Sequence, residues 1–228
     1  MRATVLLAVF GAAGCLLLSA CGALAPAAQP TIRQSVDVSA FTPTAKNPDP
    51  SKGIDGVTVK KYPKGKHIRA DQRVAYTFTP PIGGTHDQAW ATCTGVVYTE
   101  PVRSENLVHS MEHGAVWIAY DADRVSASDQ AALALLVEGK PYMVMSPYPG
   151  MKKPISLQSW GHQLAVDSVG DERIDQFIAA LRRNPNTFPE PDASCAEIGG
   201  QYFQQDSPPA FQPTPGKGEV NGGTIVEE

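Results

Sequence analysis

Apolar positions recur along the chain at two different periods, and the switches between them mark out the elements. Over residues 171–183, Ile174, Phe177, Ile178 and Leu181 fall at i, i+3, i+4 and i+7, one stripe of an amphipathic helix. Asn184-Pro185 stops it, because proline cannot continue the hydrogen-bond ladder. Ser126 or Ser128 opens a second helix to about Glu138, with Ala131, Leu133, Leu135 and Leu136 as its apolar content. A short third helix starts at Ser104 as cap, runs through His113 and closes at Gly114. Residues 115–120 form an apolar run of strand length, buried on both faces. Residues 57–59, 74–78 and 142–145 read as shorter strands, while 155–157 and 163–166 flank Trp160-Gly161-His162 as a bent pair. Residues 89–97 carry apolar positions without a clear period. Strands interleaved with helices predict an α+β (or α/β) fold: a single compact domain, with two or three helices against a small mixed sheet.

The ends have a different composition. Met1-Arg2 precedes an uncharged run over 3–18, about 24 Å long as a helix and short of a ~30 Å hydrocarbon core. Its length and flanks suit a signal peptide over residues 1–20. Leu18-Ser19-Ala20-Cys21-Gly22 resembles the lipobox of bacterial lipoproteins, in which small residues admit the peptidase and the cysteine thiol takes diacylglycerol. Cys21 is then the new amino terminus. Acyl chains such as palmitate anchor it at the outer face of the cytoplasmic membrane, at ~0.8 kcal/mol per buried methylene. An ordinary signal peptide cut nearby, or an uncleaved anchor, is the alternative. Residues 21–55, rich in Ala, Pro, Thr and Ser, read as a flexible tether. Residues 56–204 are the globular domain, and 205–228, with four prolines and several glycines, a disordered tail.

Charge and cysteine usage narrow the class. A formal net charge of −4 without a basic run argues against a nucleic-acid partner. Cys15 leaves with the signal and Cys21 carries lipid, so Cys93 and Cys195 remain. In an oxidising compartment they are expected to pair. Their loop of about a hundred residues would contribute roughly 4–5 kcal/mol by the chain-entropy argument. A free or metal-bound Cys93 is the other reading.

Val108-His109-Ser110-Met111-Glu112-His113-Gly114 carries the densest chemistry. Helix positions i and i+4 share a face, so His109 and His113 can aim two imidazoles at one ion, with Glu112 alongside. His-x-x-Glu-His also matches the inverted zinc-peptidase pattern, in which the carboxylate activates a metal-bound water. Those enzymes need a third ligand on a later helix, and Glu190, between Pro189 and Pro191, lacks helical support. His86, in the Gly83-Gly84 loop, offers a third nitrogen. His86, His109 and His113 would form a site for zinc or copper, with Glu112 or Glu105 as oxygen ligand or supporting partner. The bland reading bonds each histidine to backbone groups at the loop–helix junction. Met143 and Met145, alternating on a strand, suit soft copper(I) or simply fill the core. Trp90, Trp117 and Trp160 read as core aromatics, His162 as structural, and His67 as part of a basic surface stretch.

Several motifs in order resemble a bacterial family, domain of unknown function 3105. They are Pro80-Pro81-x-x-Gly84-x-His86, Trp90, Cys93, Tyr98 with Pro101-Val102, the His109–His113 helix, Ser146-Pro147-Tyr148-Pro149-Gly150 and Ser159-Trp160-Gly161. The resemblance covers roughly residues 60–195. The family's Cys-Gly-Val-Tyr stands here as Cys93-Thr94-Gly95-Val96-Val97-Tyr98, which shifts the spacing around Cys93. The resemblance implies an extracytoplasmic, often membrane-anchored protein of unassigned activity. The leading expectation is therefore a lipid-anchored metal-handling domain. Its rivals are a metal-dependent hydrolase with Glu112 as base and an envelope interaction module without metal, its protein partner unknown.

Overall fold

The computed structural model describes residues 33–199 and 202–216 and the backbone of 225–227. The expected signal peptide and Cys21 lie outside the described residues. In chain order come β1 (Thr58–Val59), β2 (His67–Ile68), β3 (Arg73–Ala75), β4 (His86–Asp87) and β5 (Thr94–Val97). Then follow α1 (Ser104–Glu112), β6 (Val116–Tyr120), α2 (Ala127–Ala134), β7 (Met143–Pro147), β8 (Ile155–Ser159), β9 (His162–Val166), α3 (Arg173–Leu181) and β10 (Ile225–Glu227). No helix among the described residues is long and apolar enough to cross a membrane.

Six strands form one mixed sheet in the order β1-β9-β8-β6-β7-β5. β6, β7 and β5 run parallel, and β8, β9 and β1 continue antiparallel from β6. Both faces of β6 are covered, which is why its sequence is an unbroken apolar run. Trp117 and Ala119 face a core containing Val108 and Met111 of α1. Val116, Ile118 and Tyr120 face the opposite core, with Leu133 of α2 and Phe177 of α3. The result is three layers with the sheet in the middle.

The helices follow their sequence signals to within a few residues. Ser126 caps α2 by accepting the Asp129 amide at 3.2 Å. Ile174, Phe177 and Leu181 of α3 are fully buried, and each burial contributes about 1.5–3 kcal/mol. α1 departs from the expected cap, since Arg103 precedes it and Ser104 is its first residue, with no side-chain cap. Gly114 ends it at φ +94°, a conformation that favours glycine, and the Phe188 ring occupies the space a Cβ would need.

The packed body reaches past the boundaries at 56 and 204 on both sides. Residues 39–41 and 50–53 form 3-10 turns, and Ile54 is buried in the core beneath α3. Asn184 donates to the Pro48 carbonyl at 2.8 Å, and Arg33 pairs with Asp175. Beyond residue 204, Ala210 bridges Val102, and the Phe211 ring lies 4.9 Å from Tyr148. β10 adds a parallel partner to β3. Cys93 and Cys195 are joined in a disulfide that holds the 190–197 segment against the start of β5.

Candidate metal centre

α1 is buried on every side, so each of its polar residues needs a partner. Segment 87–91 supplies three of these partners. Its carbonyls at Asp87, Ala89 and Ala91 take His109 Nδ1 at 2.7 Å, Asn106 Nδ2 at 2.8 Å and the Ser110 hydroxyl at 2.6 Å. Asn106, His109 and Ser110 stand at i, i+3 and i+4 and so share the face of α1 that meets this segment. Glu105, a candidate oxygen ligand in the sequence, belongs to a different network. It accepts from the Val74 amide at 3.0 Å and pairs with Arg73 and Arg103, and it belongs to neither group of converging ligand atoms.

The histidines are clamped in one repeating way. Nδ1 of His86 meets the Gly84 carbonyl at 2.8 Å, Nδ1 of His109 that of Asp87, and Nδ1 of His113 that of Ser194 at 2.7 Å. A carbonyl only accepts, so each Nδ1 carries hydrogen, and each neutral ring keeps its lone pair on Nε2. This orientation is the one that carboxylates and carbonyls impose on metal-ligating histidines.

Four residues bring ligand atoms within 4.8 Å of one another: His67, His86, His109 and Glu112. His67, which the sequence places in a basic surface stretch, is exposed and was not among the expected ligands. β2 pairs with β4 in parallel, with His67 directly opposite His86. The rings of His67, His86 and His109 lie with centroids 4.6–5.0 Å apart. His86 and Glu112 are completely buried, while His67 is exposed. Glu112 Oε1 accepts the Gly65 amide at 2.6 Å, which turns Oε2 toward His86 Nε2 at 3.0 Å.

That last pair is within ion-pair distance, yet neither atom has a hydrogen-bond partner. With Nδ1 protonated and the ring neutral, Nε2 and Oε2 are two acceptors face to face. Only a shared proton or a cation joins such atoms. Two ligands of one zinc ion, each ~2.0–2.1 Å from it, stand roughly 3.0–3.5 Å apart, so the spacing fits a metal.

His113 does not join that set. It forms a neighbouring group with His109 and Glu190, its Nε2 3.4 Å from Glu190 Oε2. Glu190 needs no helix to get there: Phe188 packs under Gly114, and the Glu190 amide donates to the Glu112 carbonyl at 3.3 Å. The expected trio of His86, His109 and His113 is thereby divided between two groups that share His109. Trp90 is half-buried, with its ring 4.8 Å from His113 and 5.5 Å from His109. Trp160 sets its edge against His86 at 5.9 Å.

Family comparison covers this region. The model of the family described as "Protein of unknown function (DUF3105)" matches residues 67–197. The chain belongs to this family. Every donor of both groups lies within that family span, as do Cys93 and Cys195. No curated protein and no solved structure matches the chain.

Electrostatics prepare the site for a cation. Burial, with His86 and His113 nearby, pushes His109 down to about 2. Burial lowers His113 and His67 as well. Burial alone would raise Glu112, but His86 and the Gly65 amide outweigh it and hold the carboxyl below its usual value. At neutral pH His67, His109 and His113 are therefore held neutral and Glu112 is held as a carboxylate, the forms that bind metals. Met143 and Met145 belong to the opposite core, with α2 and α3, and offer this site no thioether. His162 is structural, with Nδ1 on the Trp160 carbonyl at 2.6 Å and Nε2 3.4 Å from Asp49.

Proposed function

We propose that this chain is a lipid-anchored domain that binds one transition-metal ion through His67, His86, His109 and Glu112. The observation that carries this reading is the convergence of four ligand atoms within 4.8 Å around the buried 3.0 Å Nε2–Oε2 contact between His86 and Glu112. Three imidazoles and one carboxylate suit zinc(II) or copper(II) better than soft copper(I), which prefers sulfur. The anchor is lipid on Cys21, holding the domain at the outer face of the cytoplasmic membrane.

Metal handling fits this site better than hydrolysis. A hydrolytic base needs a carboxylate free to take a proton from water. Glu112 is completely buried, with Oε1 on the Gly65 amide and Oε2 against His86. Its place is among the ligands.

The test is metal analysis of the purified protein after exposure to zinc or copper and dialysis. One equivalent is expected, lost in His109→Ala with the near-ultraviolet circular dichroism retained. Wild-type protein without stoichiometric metal would overturn the reading.

A further inference from the structure

We infer that His113 and Glu190 form a second metal position that shares His109 with the first, so that one ion occupies either position in turn. This inference rests on the metal reading above. The second position repeats the construction of the first. His113 Nδ1 donates to the Ser194 carbonyl at 2.7 Å, directing its Nε2 lone pair to within 3.4 Å of Glu190 Oε2. The ligand atoms of His109, His113 and Glu190 lie within 4.8 Å of one another.

Sharing excludes double occupancy. His109 donates Nδ1–H to Asp87, which leaves one lone pair, on Nε2, for one ion. The His109 and His113 rings are 4.5 Å apart, and His86 lies 4.6 Å from His109, so His109 stands between the two sets. An ion moving from one set to the other keeps His109 as a ligand and exchanges the rest. No redox change or co-reactant is required.

Exposure differs among the donors. His86, His109, His113 and Glu112 are all buried, whereas His67 is exposed and the Glu190 side chain retains 24% of its accessibility. The donors come nearest the surface at His67 and at Glu190, and Lys64, which pairs with Glu190, lies close enough to act on both. Lys64 pairs with Glu190 and is itself 63% exposed, a surface cation that an arriving ion displaces at small cost.

Zinc and cobalt(II) titrations of the full chain test this, with cobalt reporting the ligand set by its visible spectrum. Wild type is expected to bind one equivalent. His67→Ala with His86→Asn, which disables the first set, should still bind one equivalent, at least tenfold more weakly and with a changed cobalt spectrum. Adding Glu190→Gln should abolish that binding, while Glu190→Gln alone should leave wild-type stoichiometry intact. His67→Ala alone, a surface change that spares the core, should shift the cobalt spectrum toward that of the second set. Two equivalents on wild type would overturn the alternation. A spectrum unmoved by His67→Ala, or a folded double variant that binds nothing while wild type binds one, would overturn the second position alone. Wild type that binds nothing removes the metal reading and this inference together.

Discussion

His67 stands opposite His86 across a parallel ribbon of two residues per strand, and that pairing adds an exposed imidazole to a buried group. The contact lends the site an open side without disturbing its interior. His67→Ala should therefore leave stability within about 0.5 kcal/mol of wild type. Metal affinity should fall at least tenfold, as read by competition with a chromophoric chelator.

Gly65 is required by close approach. A Cβ there would run into the His86 ring and lie 2.6 Å from the Gly84 carbonyl oxygen, while the Gly65 amide holds Glu112. Gly65→Ala should cost about 1–3 kcal/mol in thermal or denaturant unfolding, the usual cost of overpacking. It should also weaken metal binding more than any neighbouring surface substitution. Unchanged affinity would show that the amide does not orient the carboxylate.

The disulfide connects stability to the second group. Cys195 holds the segment whose Ser194 carbonyl clamps His113 and whose Ala196 carbonyl accepts Trp90 Nε1 at 2.7 Å. Replacing both cysteines by serine should cost about 2–5 kcal/mol. In native-sequence protein, alkylation after non-reducing denaturation should label neither Cys93 nor Cys195.

Acid should destabilise the metal-free protein through its histidines. Burial holds His109 and His113 below the ordinary value, so as pH falls the unfolded chain takes up their protons first. The stability is complete above pH ~6.5 and is lost below it, at up to about 1.4 kcal/mol per pH unit for each histidine. For His109 the loss continues toward pH 2. Denaturant titrations at several pH values between 7.5 and 4.5 should show this slope, reduced in His109→Gln. A slope equal in the two proteins would contradict it.

Local pattern was enough for the three helices and the longer strands, and His86, His109 and Glu112 of the first group were named from the sequence. The i, i+3, i+4, i+7 stripe of α3, the apolar run of β6 and the Gly161 turn between β8 and β9 each follow from a few neighbouring residues. His109 and Glu112 were visible because helical spacing places them beside each other. The pairing of Cys93 with Cys195 was expected from cysteine arithmetic, with Cys15 assigned to a signal peptide and Cys21 to lipid, and the disulfide joins those two residues.

What the chain alone determined was thus the helices and the longer strands, the chemistry carried on α1 and the means to close one long loop. Tertiary structure decided which side chains share a cation. His67 arrives through strand pairing, His86 through the same ribbon, and Glu190 through a proline-flanked segment hung from the end of α1. Such contacts join distant parts of the chain, and backbone hydrogen bonds and buried packing select them, with no periodicity in the sequence to announce them. The same packing placed Met143 and Met145 on the far face of the sheet and committed Glu105 to two arginines.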